Sequence, residues 1–257
     1  MRGWCSTRSS VSICTAYDWF VNSPLGDLAL ELAADLATTV EAIGVCQRVW
    51  GTNSTRDIDT YFAAATHGSY LSLARLNGVA VGASFAFLSN GGRSIHSHMT
   101  AVVPEFADRS IGRTLKLHQR AWALDRGMES ITWTYDPLVQ RNAWFNLAVL
   151  GTRVTSFHEN YYGSLGDERN GSDESDRFEV TWDLSKPAPG EPRTVVEVGG
   201  DRVIPIPSSI ETLRFKEPAA AQDYRIAMRT SLRGVADGSV EVVGLNENRS
   251  YVLRPLR

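Results

Sequence analysis

Apolar residues recur along this chain with two different spacings, and each change of spacing marks a boundary between predicted elements. A spacing of three to four residues is typical of a helix with one buried face, and alternation is typical of a strand. The first spacing predicts helices over residues 28–50, 57–65 and 142–150, and a further helix that ends before Gly127. The second spacing predicts strands over residues 70–76, 79–88, 94–103, 130–135, 154–157 and 178–182. Asn77-Gly78 and Asn90-Gly91-Gly92 are typical of hairpin turns.

The order of these elements predicts a fold class. The chain runs helix, helix, three antiparallel strands, helix, strand, helix and two strands, which indicates an α/β fold with helices on the faces of a mixed sheet. Residues 183–193 contain Pro187, Pro189 and Pro192, so we interpret them as a linker. Beyond it we expect a hairpin of 194–198 with 202–204, a helix over 219–234 and a strand pair of 240–243 with 250–253. We therefore divide the chain into a loose arm (1–16), a main domain (17–184) and a small C-terminal α/β extension (185–257).

Composition and charge narrow the range of functions. The 257 residues are 43% hydrophobic, which suits a globular protein with a buried core. A formal net charge of −3 provides no field that attracts nucleic acid or an anionic membrane, and no apolar run reaches the length of a membrane span. Cys5, Cys14 and Cys46 have no metal-binding spacing and suit free thiols. We expect a cytoplasmic protein that binds no metal, nucleic acid or membrane.

The stretch from Val102 to Leu115 carries the strongest chemical signal. A predicted strand ends there, a short loop follows, and a helix begins near Gly112. The first N–H groups of a helix lack partners within it and lie at the positive end of its dipole, so this helix start suits a phosphate. Its spacing matches neither a Walker loop nor a dinucleotide fingerprint. The alternative is an ordinary strand-loop-helix connection with a surface arginine.

The helix after this loop is predicted to bury one face. Its buried stripe consists of Ile111, Leu115 and Trp122, with Leu117, Ala121 and Leu124 beside it. The basic residues are predicted to lie off that stripe: Lys116, Arg120 and Arg126.

Two blocks of the sequence resemble the GNAT acyltransferase superfamily. Val102 to Phe106 followed by Arg109-x-x-Gly112-x-Thr114 is similar to the acyl-CoA pyrophosphate loop of that family, and 136–151 is similar to the motif that touches the pantetheine arm. The resemblance spans residues 28–184 and implies a GNAT-like fold, with helices on both faces of a central, mostly antiparallel sheet. It implies acetyl-CoA or another acyl-CoA as co-substrate. The cofactor-binding residues that it implies are Ala101, Val102, Val103, Arg109, Ser110, Ile111, Gly112, Arg113, Thr114, Asn142 and Asn146.

Some positions depart from the family pattern and point to a divergent bacterial branch. Thr114 stands where the loop usually has Gly or Ala, which narrows the approach to the pyrophosphate. Leu147 stands where the family often has a tyrosine that protonates the leaving thiolate. The general acid is then Tyr161, with Tyr162, Tyr135 and water as alternatives. The usual first strand of the family is not evident.

Two histidines are candidates for the general base. His96 and His98 lie two apart on a predicted strand, so both side chains point to one face, with Thr100 next in line. Histidine titrates near neutral pH and suits this role. The alternative is a pair of half-buried structural histidines. Asp136, at a strand end, either orients the substrate or caps the turn with Pro137.

The sequence favours an acyltransferase that moves an acyl group, acetyl in the simplest case, from acyl-CoA to an amine or other nucleophile of a small molecule. One alternative is decarboxylation of an acyl-CoA, or transfer to a carrier thiol, on the same fold. Another is a non-catalytic CoA-binding module that uses the extension as its partner surface. A homodimer is a further expectation, and the acceptor has no diagnostic pattern.

Overall fold

The computed structural model describes residues 19–23, 26–51, 57–89, 91–107, 109–163 and 173–256. The predicted arm (1–16), Cys5, Cys14 and the turn residue Asn90 lie outside these ranges. The elements in chain order are β1 (Trp19–Ser23), β2 (Gly26–Leu32), α1 (Leu36–Trp50), α2 (Ile58–Thr66), β3 (Tyr70–Leu76), β4 (Val79–Leu88), β5 (Ser94–Val102), α3 (Ile111–Asp125), β6 (Ser130–Tyr135), α4 (Gln140–Ala143), β7 (Arg153–His158), β8 (Arg177–Asp183), β9 (Arg202–Ile204), α5 (Ile210–Lys216), α6 (Pro218–Ala236), β10 (Val240–Leu245) and β11 (Tyr251–Pro255). Helix α4 continues as a π-helical turn over Trp144–Val149.

The larger sheet has the strand order β1-β2-β3-β4-β5-β6-β8-β7. Its neighbours are antiparallel except β5 and β6, which are parallel and joined by the crossover helix α3. Helices α1 and α2 pack on one face, where the Tyr61 hydroxyl lies 4.0 Å from the sulfur of Met99. Helix α3 packs on the other face, where Lys116 Nζ lies 2.9 Å from Ser97 Oγ. The predicted mixed sheet with helices on both faces is confirmed.

The predicted helix over 28–50 is wrong in its first part. Strand β2 occupies Gly26–Leu32, and α1 begins only at Leu36. Leu28 and Leu30 are buried while Ala29 between them is partly exposed, which is the alternation of a strand. Asp35 separates the two elements because its carboxylate accepts the Thr38 N–H at 2.7 Å as an N-cap. The first strand that the sequence did not reveal is therefore present.

The extension packs against the main sheet. Its own sheet has the order β10-β11-β9. The ring of Tyr251 in β11 stands edge-on to that of Phe178 in β8, with 5.3 Å between the ring centres. The predicted pairing of the last two strands is confirmed. The predicted hairpin of 194–198 with 202–204 is wrong, because β9 pairs with β11 and Val195 N–H donates to the Leu245 carbonyl. Helix α5 was not predicted.

In the ranges given above, no helix is both long and apolar enough to cross a membrane. Within the same ranges, no three His, Cys, Asp or Glu side chains are grouped so as to hold a metal ion. Cys46 is a buried free thiol whose pKa is raised to about 12 by burial.

Candidate functional site

A cleft opens where the two parallel strands part. Strands β5 and β6 pair only through Ser94–Ser130, Ile95–Ile131 and His96–Thr132. Beyond that point β6 remains paired with β8, and β5 remains paired with β4. Within the described part of the chain, no strand pairs with the edge of residues 97–102 that faces β6. We call the space between residues 97–102 and 133–135 the cleft. Its β5 side is a strand edge with backbone groups available to a ligand.

The start of α3 lies at the open end of β5, beside the cleft. Ser110 precedes the helix with a φ of 59°, and its side chain makes no capping hydrogen bond. The first hydrogen bond within the helix is from the Thr114 N–H to the Ser110 carbonyl, at 2.9 Å. Among the residues that the structure describes, none accepts the N–H groups of Ile111, Gly112 or Arg113. These donors and the helix dipole make this an anion-binding geometry.

The polar side chains of this loop are already engaged in different ways. Arg109 is exposed, and its guanidinium lies 5.1 Å from the centre of the Phe106 ring. Arg113 donates to the Pro189 carbonyl at 2.7 Å, so the linker contacts the loop. Thr114 donates its hydroxyl to the Ser110 carbonyl at 3.1 Å. Of these three side chains, Arg109 is the one that solvent reaches most readily.

Helix α4 and its π-helical turn form the second wall beside the cleft. Asn142 is half-buried near the helix start, and Asn146 is 5% exposed. The Trp133 indole N–H donates to Asn146 Oδ1 at 3.0 Å. Phe145 lies 3.8 Å from the place where a Cβ on Gly112 would stand, so the two helices approach each other closely. A π-helical turn is a frequent feature of functional sites.

The buried position of Lys116 shows that the predicted buried face of α3 is wrong at this residue. It was expected off the buried stripe, but it is only 3% exposed, whereas Leu124, expected beside the stripe, is 41% exposed. Lys116 Nζ lies 2.9 Å from Ser97 Oγ and 3.5 Å from the centre of the Trp133 ring. It therefore bridges the first residues of β5 and β6 beyond the point where they part. Burial holds the pKa of Lys116 well below its usual value.

The two histidines lie on the sheet face opposite α3. His96 Nδ1 is 3.2 Å from Thr132 Oγ1, and the ring of His98 lies 5.5 Å from that of Phe87. Burial lowers the pKa of both histidines, and the charge of Glu179 partly opposes this shift at His96. In each case the shift favours the neutral, basic form of the imidazole.

The expectation that Thr100 shares the face of the histidines is wrong. A bulge interrupts β5, since Met99 pairs with Phe85 and Ser97 pairs with Ala86. His98 is the additional residue in this bulge, and the alternation shifts by one position after it. Thr100 consequently lies on the α3 face, where its hydroxyl is 3.0 Å from that of Ser84.

A polar surface continues from the histidines across β6, β8 and β7. The Tyr162 hydroxyl lies 3.2 Å from Thr134 Oγ1. Glu179 accepts the Ser156 hydroxyl at 3.0 Å and lies 3.4 Å from His158 Nε2. We call this surface the open face. Its half-exposed side chains are His96, Thr132, Thr134, Ser156, His158 and Glu179.

Tyr161 is placed at the edge of the open face. It is 49% exposed, and its ring stands edge-on to Tyr162 at 4.6 Å. The hydroxyl that reaches β6, one wall of the cleft, belongs to Tyr162.

Asp136 lies in a buried ionic network at the end of β6. It is 6% exposed, its Oδ1 accepts the Leu138 N–H at 2.8 Å, and its Oδ2 pairs with Arg214 of the extension. Arg214 also contacts Asp173 at 2.6 Å, and Arg225 contacts the same carboxylate at 2.5 Å. The network therefore connects the extension to β6.

The structure thus collects most of the predicted site residues around one cleft. The loop residues lie at its open end, the two asparagines beside β6, and the histidines on the open face. Sequence reasoning missed Lys116, Trp133 and Glu179. The sequence carries no signal for the burial of Lys116, whereas the single acidic residue in the alternating strand Phe178-Glu179-Val180 was the signal for Glu179.

Comparison with known proteins gave matches in structure alone. No protein-family model matches the chain, and no curated protein matches its sequence. The ribosomal-protein-S18-alanine N-acetyltransferase of Escherichia coli matches over 63% of this chain and 97% of its own, with 13% identity and a TM-score of 0.50. An acetyltransferase of Bacillus subtilis in complex with CoA matches over 61% and 98%, with 17% identity and a TM-score of 0.48. At such identities the likeness concerns the fold.

Proposed function

We propose, from the premise that this chain has the GNAT fold, that the protein is an acyltransferase that uses an acyl-CoA and a small-molecule amine. The single observation that carries the proposal is the cleft. A free strand edge of β5 lies next to a helix start whose first N–H groups have no acceptor among the described residues. A ligand that fits both features has a chain of amides at one end and a phosphate at the other, as acyl-CoA has.

The binding residues follow from this arrangement. The N–H groups of Ile111, Gly112 and Arg113 would hold the pyrophosphate, because they are the uncapped donors of α3. Ser110 shapes the approach, and Arg109 adds an exposed positive charge. The backbone from Ala101 to Val103 would pair with the pantetheine amides, as a strand pairs with its neighbour. Asn142 of α4 and Asn146 of the π-helical turn would contact the same arm.

The acyl transfer needs a base for the acceptor. His96 lies at the closed end of the cleft, and its Nδ1 is engaged with Thr132. In the tautomer that carries its proton on Nδ1, the N–H donates a hydrogen bond to Thr132 Oγ1. Nε2 is then free to take a proton from the acceptor amine. The amine nitrogen then attacks the thioester carbon, the C–S bond breaks, and the thiolate of CoA leaves. His98 is the alternative base, because it lies on the same face.

The leaving thiolate needs a proton. Leu147 is 7% exposed and supplies none. Tyr161 is our candidate acid from the sequence, and Tyr162 competes with it because its hydroxyl contacts Thr134 on β6. Asp136 is engaged with Arg214 and with the Leu138 N–H, which favours an orienting role through the end of β6 over direct proton transfer.

The open face is our proposed acceptor side. It adjoins the closed end of the cleft and carries hydroxyl, imidazole and carboxylate groups that can hold a polar amine. Acetyl is the acyl group expected in the first instance.

The test begins with calorimetric titration of acetyl-CoA, followed by assay of free thiol with a panel of amines. We expect micromolar binding and amine-dependent thiol release. Absence of heat at high micromolar acetyl-CoA removes the foundation of the proposal. Malonyl-CoA, assayed in parallel for CO₂ and thiol, distinguishes decarboxylation, and binding without any turnover supports a non-catalytic module.

A further inference from the structure

A series of three buried side chains in contact runs from α3 through β6 to the π-helical turn that follows α4. Lys116 Nζ lies over the Trp133 ring at 3.5 Å and 3.0 Å from Gln119 Oε1. The indole N–H of the same tryptophan donates to Asn146 Oδ1. All three residues in the chain Lys116–Trp133–Asn146 are more than nine-tenths buried, with exposures of 3%, 6% and 5%. One ring of the cleft wall thereby joins α3 to the π-helical turn that follows α4.

The indole fixes which way the Asn146 amide points. An indole N–H is a donor only, so the group that faces it must be the carbonyl oxygen Oδ1. The NH₂ group of Asn146 therefore faces away from Trp133. No residue in the described ranges accepts from Asn146 Nδ2. Asn146 is buried as a residue, but its Nδ2 is not sealed from solvent, so an acceptor brought by a ligand can reach this donor and add a hydrogen bond.

Lys116 fixes the ring in turn. Lys116 Nζ packs against the face of the tryptophan ring, and a hydrogen bond to Ser97 Oγ on β5 holds the amine in place. The ring therefore has a partner on its face and another at its edge. Its orientation, and with it that of the Asn146 amide, is set before any ligand arrives.

We propose that Lys116 and Trp133 are positioning residues for the pantetheine arm of acyl-CoA, and that they act by aiming the Asn146 amide N–H at a carbonyl of that arm. This inference rests on the proposed function. It predicts an effect confined to one end of the ligand, since the pyrophosphate binds at the start of α3. A purely structural role would affect both ends alike.

The test compares two ligands by calorimetry: acetyl-CoA, and adenosine 3′-phosphate 5′-diphosphate, which is the part of CoA that ends at the pyrophosphate. Trp133→Phe is the principal variant, because it keeps the ring beneath Lys116 and removes only the N–H. We expect its Kd for acetyl-CoA to rise about tenfold, the value of one well-aimed hydrogen bond, while its Kd for the nucleotide stays unchanged.

Lys116→Met is the second variant and should shift the same Kd in the same direction. The matched control is His118→Leu, at a fully buried polar position of α3 whose ring contacts Tyr70 at 2.6 Å. It should lower stability and leave both Kd values in place. Equal weakening of both ligands by Trp133→Phe, or no change in either, overturns the inference. If the wild-type protein binds acetyl-CoA no more tightly than it binds the nucleotide, the pantetheine site is refuted. If it binds neither ligand, the proposed function also fails.

Discussion

His96 and Thr132 form the last pair between β5 and β6, and their side chains meet there, with His96 Nδ1 3.2 Å from Thr132 Oγ1. The imidazole is therefore fixed at the closed end of the cleft, on the face opposite α3. In this position a proton acceptor lies next to the place where a thioester would reach. The contact links the backbone geometry of the cleft to its proposed chemistry.

Replacement of His96 by glutamine should lower kcat by a factor of about 10² to 10⁴, the usual contribution of a general base. Glutamine keeps a hydrogen bond to Thr132 but accepts no proton at neutral pH. Steady-state thiol release measures the effect. His67→Gln, at the exposed end of α2, is the control and should leave kcat unchanged. If His98→Gln shows the large loss in place of His96→Gln, the base is His98.

The activity should fall at acidic pH with an apparent pKa below 6.5. Burial lowers the pKa of His96, so the neutral, basic form persists below the pH at which an ordinary histidine becomes protonated. A profile of kcat/KM against pH measures this fall, which is the acidic limb of the profile. Glu179 raises the pKa of His96, so Glu179→Gln should move the limb to still lower pH. A limb above pH 6.5, or a shift in the opposite direction, contradicts this assignment.

How far the sequence predicted this site depends on the kind of signal. Strands β3 and β4 were predicted to the residue because they are bounded by Asn77-Gly78, where Asn77 has a φ of 50° and Gly78 of 81°. The loop before α3 was found because a helix start is a local property. The bulge at His98 was not predictable, since it depends on how β5 pairs with β4.

Burial of polar groups was the second limit. A lysine is assigned to the surface by default, because its charge is costly to bury. Lys116 is an exception that depends on Ser97 and Trp133, which lie 19 and 17 positions away in the sequence and meet it only in the folded chain. Arg214, the partner of Asp136 in the extension, is still more remote, at 78 positions along the chain.

Asp136→Asn should lower the free energy of unfolding by about 1.5–3 kcal/mol, because it removes one of the two carboxylates that pair with the buried Arg214 and leaves only Asp173. Urea unfolding measures the change. Glu31→Gln is the matched control, since Glu31 pairs with Arg75 at a more exposed position and should cost about 1 kcal/mol or less. If Asp136 acts directly in chemistry, the variant will instead lose kcat without loss of stability.

Gly151→Ala should displace the linker from α3 and α4. The added Cβ would lie 2.8 Å from Pro189 Cγ, and the φ of 68° already disfavours alanine. The control is Gly163→Ala, which has a φ of 69° and no atom of the described residues within 4 Å of its Cβ, so it isolates the backbone strain. We expect a larger fall in Tm for Gly151→Ala, measured by differential scanning calorimetry. Equal falls in the two variants would show that the Pro189 contact contributes nothing.

Gly112→Ala separates ligand binding from folding at the start of α3. The new Cβ would meet Phe145 and Val102 at 3.8 Å, which is an ordinary contact, so the variant should fold as well as the wild type. A helical Gly→Ala change even stabilises by about 0.5–1 kcal/mol. A pyrophosphate that lies against this backbone leaves no room for the methyl group, and we expect the Kd for acetyl-CoA to rise about tenfold or more. Gly44→Ala in α1, where nothing lies within 4 Å of the new Cβ, should show the same gain in Tm with an unchanged Kd. An unchanged Kd in both variants would mean that the phosphate does not approach α3 at Gly112.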